Sequence, residues 1–257
     1  MTYWYPGVRE IGRLARELLP DVPVVAGGIY STLLPGHCSA QLQTDLIVAG
    51  AADAARAPGR GGSGAPAAGA GSLGAVLDQL GLPAPEGRVP YQPSVSLTGQ
   101  SVRFTEAVAI RLHEGCTHRC AYCASPVISP RFSPGRAESL LAHVAALYER
   151  YGVTSFAFYD DALLERRDTG LVPFLLGVIE RFGERELRFY LPNAVHVELL
   201  DDETAHLMYR AGFREVRFGL ESAEEEFHAT FDHKLAVDRL AEKVAVLRRA
   251  GFRGGEI

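Results

Sequence analysis

The stretch Glu114-Gly115-Cys116-Thr117-His118-Arg119-Cys120-Ala121-Tyr122-Cys123-Ala124-Ser125 follows closely on an apolar run at 107–112. Its cysteines are spaced C-x3-C-x2-C, so three thiolates on one short loop can converge on a single metal face. Iron–sulfur clusters are normally held by cysteine thiolates, and a four-iron cluster ordinarily takes four. Three local thiolates leave one iron without a protein ligand, and a small molecule can chelate there. The competing reading of the same residues is a structural zinc site with His113 or His118 as fourth ligand. Zinc knuckles usually come as paired C-x2-C-type arms, and here there is one arm. The remaining cysteine, Cys38, is distant in sequence and reads as a small apolar residue.

Outward from this loop the chain is rhythmic. Apolar runs at 107–112, 155–159, 187–191 and 216–220 alternate with helical patterns at 137–151, 171–182, 202–211 and 237–250. Four strand–helix units in series predict an α/β fold, with a parallel sheet curling into a full or partial barrel. Sites in such barrels gather at the C-terminal ends of the strands. Those ends carry the cysteine loop, Asp160-Asp161, Asn193 and Glu221-Ser222. Each has a plainer reading. The aspartates can cap the next helix. Ser222 followed by Glu224 and Glu225 reads as a helix start, and Asn193 as a turn residue.

The loop resembles the signature of the radical S-adenosylmethionine superfamily, C-x3-C-x-aromatic-C, with Tyr122 as the aromatic residue. The resemblance implies that Cys116, Cys120 and Cys123 hold a [4Fe-4S] cluster. The methionyl amino and carboxylate groups of S-adenosylmethionine would then bind the open iron. Reductive cleavage of the sulfonium would give a 5′-deoxyadenosyl radical. Tyr122 would lie near the adenine. Phe158-Tyr159-Asp160-Asp161 stands where the family meets the methionyl amino group, its usual Gly-Gly-Glu replaced by an acidic pair familiar in the cobalamin-associated branch. Val216-Arg217-Phe218-Gly219-Leu220-Glu221-Ser222 is similar to that branch's fourth strand, where Glu221 and Ser222 would approach ribose and carboxylate. Leu191-Pro192-Asn193 is similar to its third-strand end. The fifth and sixth strands of the family are missing.

In the first fifty residues, Ile11, Leu14, Ala15, Leu18 and Leu19 fall at helical spacing after Pro6. Val22, Val24, Val25 and Ala26 read as a buried strand ending at Gly27-Gly28, and a second strand is expected at 46–49. Two buried strands with a helical crossing predict a parallel layer. Thr2-Tyr3-Trp4-Tyr5-Pro6-Gly7 and Val24-Val25-Ala26-Gly27-Gly28-Ile29-Tyr30 resemble the second half of a Rossmann-like cobalamin-binding domain. Its first half is absent, which argues against cobalamin binding by this chain while implying descent from a binder. Residues 51–71 are dominated by Ala, Gly, Pro and Ser and read as a linker. A short helix is expected at 73–80 and an extended connection at 83–93. The expected organisation is a partial Rossmann-like domain at 1–55, linker and connection at 56–100, and a radical S-adenosylmethionine core at 101–257. Both ends read as cut, as in a fragment of a longer protein.

Composition sets the outer bounds. Of 257 residues, 47% are hydrophobic and 22% charged, the balance of a globular chain with a core. The net charge of −5 is spread without a basic tract, so no clear nucleic-acid surface is indicated. No apolar run reaches the ~20 residues of a membrane span, and residues 1–10 lack a signal-peptide layout. A cytoplasmic chain is expected, with an unknown substrate and a reductant such as flavodoxin or ferredoxin as partner. The alternatives to a radical enzyme are a non-catalytic zinc-stabilised module and an inactive truncated relic that still binds a cluster.

Overall fold

A computed structural model of the chain describes residues 5–50, 78, 80, 81, 107–234 and 239–257. The linker at 51–71, the connection at 83–93 and most of the helix expected at 73–80 lie outside the described residues. The chain divides into two compact units, Met1–Pro93 and Ser94–Ile257.

In the first unit, helix α1 (Tyr5–Leu18) leads to strand β1 (Val25–Ala26). Two short helices, α2 (Ile29–Leu33) and α3 (Pro35–Gln41), then cross to strand β2 (Leu46–Ile47). The strands pair in parallel, Val25 with Leu46 and Ala26 with Ile47. Gly28 turns the chain at the end of β1 with φ +87°, and its carbonyl accepts from the Ser31 and Thr32 hydroxyls. The apolar residues that fall at helical spacing on α1 are exposed, Ile11 by 68% and Leu18 by 72%, while Gly12 is buried. Spacing fixes the period of a helix but not which face is covered. Here α1 is anchored through Arg16, which pairs with Asp45 at 2.6 Å and reaches the Gln43 carbonyl. Cys38 is fully buried, as a small apolar residue should be.

The second unit is built on a parallel sheet ordered β3 (Val108–Ile110), β4 (Ser155–Phe158), β5 (Arg188–Tyr190). Ile110 pairs with Phe158, and Phe156 with Phe189. The cysteine loop and the short helix α4 (Ser125–Ile128) follow β3. Helices α5 (Ala137–Tyr151), α6 (Leu171–Phe182) and α7 (Asp202–Ala211) follow in turn, each within the expected bounds. Asp201 caps α7 by accepting from the Thr204 N–H at 2.8 Å. Gly212 ends it with φ +109°, where a Cβ would come within 2.1 Å of the Leu187 carbonyl oxygen. Helix α8 (Glu225–Phe231) and helix α9 (Leu240–Ala250) complete the described elements.

The core lies between sheet and helices. Phe156 and Phe158, two apart on β4, share a face with Phe189 of β5 and meet Phe174 of α6 and Phe213. All five are at most 1% exposed, and each buried side chain contributes about 2 kcal/mol of transfer free energy.

The expected fourth strand, 216–220, is not a regular strand. Among the described residues the segment after α7 makes isolated parallel bridges, Phe189 of β5 with Phe213 and Val195 with Phe218. The segment is still held: Val195 N donates to Arg217 O at 2.9 Å, and Val216 N to Glu256 O at 2.8 Å.

Candidate functional site

The loop after β3 is fixed before its cysteines begin. Glu114 and Ser133 exchange backbone hydrogen bonds at 3.0 and 2.8 Å. Gly115 has φ +77°, and a Cβ there would lie 2.5 Å from the Arg131 carbonyl oxygen. The three cysteines beyond it are free thiols, with Cys120 buried and Cys123 exposed. Backbone N–H groups of His118 and Ser125 point at the sulfurs of Cys116 and Cys123, both at 3.4 Å. Burial pushes the Cys116 thiol up, as do Cys120, Asp161 and Cys123, against the His118 N–H.

All three thiols line one cleft of about 360 Å³. With them stand His118, Asp161, Asn193, His196, Glu221 and Lys234, drawn from the loops after successive strand positions. Asp161 and Glu221 are thus brought to the cysteines. Tyr122 lies next door, lining a second hollow with Ala121, Glu221, Phe227 and Phe231. Its ring stacks on Phe227 at 5.8 Å, and its hydroxyl donates to Asp232 at 2.5 Å. Burial and the Asp232 carboxylate push that hydroxyl's pKa well up.

Asp160 and Ser222 do not line the cleft. Asp160 is 3% exposed, and its carboxylate accepts the backbone N–H groups of Leu112 and His113, clamping the end of β3 to the end of β4. Ser222 accepts the Glu224 N–H at 3.1 Å, the helix-entry role weighed for it. Its carbonyl lies 2.8 Å from His228, which contacts Asp232 at 2.9 Å on its other nitrogen. Asp232 raises the His228 pKa, helped by the Ser222 carbonyl. Burial pulls the Asp232 pKa upward, but Tyr122, His228 and the Lys234 N–H hold it below the ordinary value. The chain Tyr122–Asp232–His228–Ser222 therefore ties the cysteine loop to the Glu221 turn, where Glu221 itself has φ +57°.

Burial raises the Asp160 pKa to about 6 from 3.8, against the pull of the two loop N–H groups and Arg111. Its ionised form is therefore the costly one in the fold. Asp160 contributes stability that is complete below its unfolded pKa and is lost as the pH rises through about 6. Between pH 5 and pH 7, urea unfolding should show the wild type losing about 1 kcal/mol relative to Asp160→Asn. An unchanged difference between the two proteins would contradict this.

Of the two histidines weighed as a zinc ligand, His113 does not line the cleft that holds the cysteines. It is 1% exposed, and Gly135 N–H donates to its Nδ1. His118 does line the cleft. Four contributors lay outside the sequence reading: Glu165, His196, Lys234 and the His228–Asp232 pair. Thr117 donates to Glu165 at 2.7 Å. His196 Nε2 lies 3.9 Å from Cys116 Sγ. Burial, then the nearby His118 and Lys234, lowers the His196 pKa to about 4, so its imidazole is neutral near pH 7. Lys234 lies 3.6 Å from Glu221 and over the Tyr122 ring. The strand-end rule that found Asp161 also reaches Glu165 and His196, a few residues further along the same loops.

Residues 110–257 match the model of the Radical SAM superfamily, and the chain belongs to that superfamily. A curated relative, GTP 3′,8-cyclase from Ectopseudomonas mendocina (strain ymp), is 29% identical over 141 residues, 53% of this chain and 40% of the relative. Two solved structures are those of the radical S-adenosylmethionine methyltransferase TsrM from Kitasatospora setae. One holds tryptophan and the S-adenosylmethionine analogue aza-SAM; this chain matches it at 17% identity and TM-score 0.68. The other holds cobalamin and a [4Fe-4S] cluster, matched at 18% and 0.67. Each match covers 96% of this chain and 50% of the solved one, so the chain spans half or less of these relatives. The fold expected from the strand–helix rhythm is shared with them. Among the described residues no helix is long and apolar enough to cross a membrane.

Proposed function

We propose that this chain is the cluster-bearing part of a radical S-adenosylmethionine enzyme. The observation that carries this reading is that three free thiols from one loop face one cleft at the strand ends. The donor set fits an iron–sulfur cluster: three soft sulfurs, two of them approached by backbone N–H groups of the kind that tune such sulfurs. Cys116, Cys120 and Cys123 would hold the [4Fe-4S] cluster. When bound, the cluster supplies the electron that breaks the sulfonium of S-adenosylmethionine into methionine and a 5′-deoxyadenosyl radical.

This chain's own residues bind, orient and shield. Asp161 and Glu221 place carboxylates in the cleft to receive the amino and hydroxyl groups of the nucleotide. Tyr122, stacked on Phe227, offers an aromatic surface for the adenine. Asp160 acts on the site through the backbone, holding the strand end that carries Asp161. Ser222 holds the Glu221 turn through Glu224 and His228. A small electron carrier of the flavodoxin or ferredoxin type would supply the reductant. The substrate step is proposed as radical-initiated methyl transfer or rearrangement, the chemistry implied by the resemblance of the 158–161 and 216–222 segments to the cobalamin-associated branch. Likeness at 17–18% identity carries the fold alone, so it assigns no cobalamin to the first unit.

The test is anaerobic reconstitution with iron and sulfide, reduction with dithionite and addition of S-adenosylmethionine. Formation of 5′-deoxyadenosine and methionine is expected. A brown, iron-loaded protein that leaves the nucleotide intact would contradict the reading.

A further inference from the structure

Beside the cysteines, three side chains from three successive strand-end loops face one another. His118 comes from the loop after β3, Glu165 from the loop after β4, and His196 from the loop after β5. His118 Nε2 lies 3.8 Å and His196 Nδ1 4.0 Å from the same carboxylate oxygen of Glu165. The three donor atoms all lie within 4.8 Å of one another. We propose that His118, Glu165 and His196 form a binding site for one divalent transition-metal ion of the zinc or iron(II) class, separate from the three cysteines.

A second observation points to a ligand. The His196 side chain is 9% exposed, and its buried Nδ1 has no hydrogen-bond partner. A buried polar atom left unpaired costs about 1–3 kcal/mol, and folded proteins rarely leave one. An ion bound there satisfies it. The donors are of the right kind, since two imidazoles and one carboxylate suit zinc and iron(II). Ligands about 2.0–2.2 Å from an ion lie roughly 3.0–3.5 Å apart, so shifts of about 1 Å or less in the two imidazoles and the Glu165 carboxylate close the set. Thr117 already orients that carboxylate, donating to the facing oxygen at 2.7 Å.

The opposite nitrogen of His196 adds a consequence. With the ion on Nδ1, the proton of the imidazole sits on Nε2, which faces Cys116 Sγ at 3.9 Å. One ring then ligates the ion and donates toward a cysteine sulfur. Three protein ligands also leave a position of the ion open for a substrate oxygen or nitrogen.

The test removes the cysteines from consideration. The full chain carrying Cys116→Ser, Cys120→Ser and Cys123→Ser is titrated with Co2+ and with Zn2+, gel-filtered and analysed for metal. One ion per chain is expected. Adding His196→Ala should weaken retention by about 100-fold or more, because even outer-shell partners contribute 10–100-fold. Thr117→Val should weaken it by about 10-fold, the effect of a lost outer-shell hydrogen bond. Far-ultraviolet circular dichroism checks that each variant is folded. If the triple variant does not fold, the wild-type chain with its thiols blocked by a methanethiosulfonate takes its place, with the same expectation. Retention that is absent in the folded protein, or equal with and without His196, overturns the proposal. Neither result bears on the cluster, which both forms of the protein exclude.

Discussion

Replacing Cys116, Cys120 or Cys123 by alanine is expected to abolish formation of 5′-deoxyadenosine and to remove most of the iron bound after reconstitution. The loss should be nearly complete for each, because the three thiols share one cleft and no fourth cysteine lines it. A cluster with two protein thiolates lacks the ligands to stay bound. The sites differ in their structural cost. Cys123 is exposed, so its alanine variant should keep the wild-type melting temperature. Cys120 is 6% exposed, and its thiol packs as a small hydrophobe, so that variant should also lose some stability. The measurement is iron per folded chain beside the nucleotide assay. Product formation by the C123A protein at the wild-type rate would remove the loop from the chemistry.

The largest effect on stability is expected from Phe189→Ala. Phe189 is 0% exposed at the centre of the aromatic cluster, with its ring 5.3–5.8 Å from those of Phe156, Phe158, Phe174 and Phe213. Its backbone also joins β5 to the next segment, donating to Gly212 and accepting from Arg214. Truncation leaves a cavity among rigid rings, and buried Phe→Ala changes cost about 3–5 kcal/mol. The loops after β4 and β5 carry Asp161 and His196, so the damage should reach the cleft. Reconstituted F189A is expected to bind S-adenosylmethionine more weakly than wild type at temperatures where both are folded. Urea unfolding measures the first effect and equilibrium binding the second. A cost below about 1 kcal/mol would show that the cluster is not the packing centre of this unit.

Much of the second unit is legible because local signals and global packing agree. Helices α5, α6 and α7 start and stop where the apolar period, the Asp201 cap and glycines such as Gly152 and Gly212 require. The strands show as short apolar runs because the layer buries both faces of β4. The residues brought to the cleft from the strand ends, Asp161 and Glu221, follow from the same topology. What sequence does not carry is the partnering of side chains across long separations. Tyr122 meets Asp232 across 110 positions, and Cys116 meets His196 across 80. The same blindness explains Asp160: adjacent aspartates look alike in sequence, but one turns to the loop N–H groups and the other to the cleft. The expected strand at 216–220 lapses into isolated bridges, which an apolar run of that length does not foretell. The exposed stripe of α1 shows that periodicity reports an amphipathic helix without saying what covers it.

The measurement that bears most directly on the central claim is electron paramagnetic resonance of the reduced, anaerobically reconstituted chain, with and without S-adenosylmethionine. A reduced [4Fe-4S] signal whose shape shifts when the nucleotide is added is expected, because three thiolates leave one iron open to it. A signal indifferent to S-adenosylmethionine, or zinc in place of iron, would contradict it.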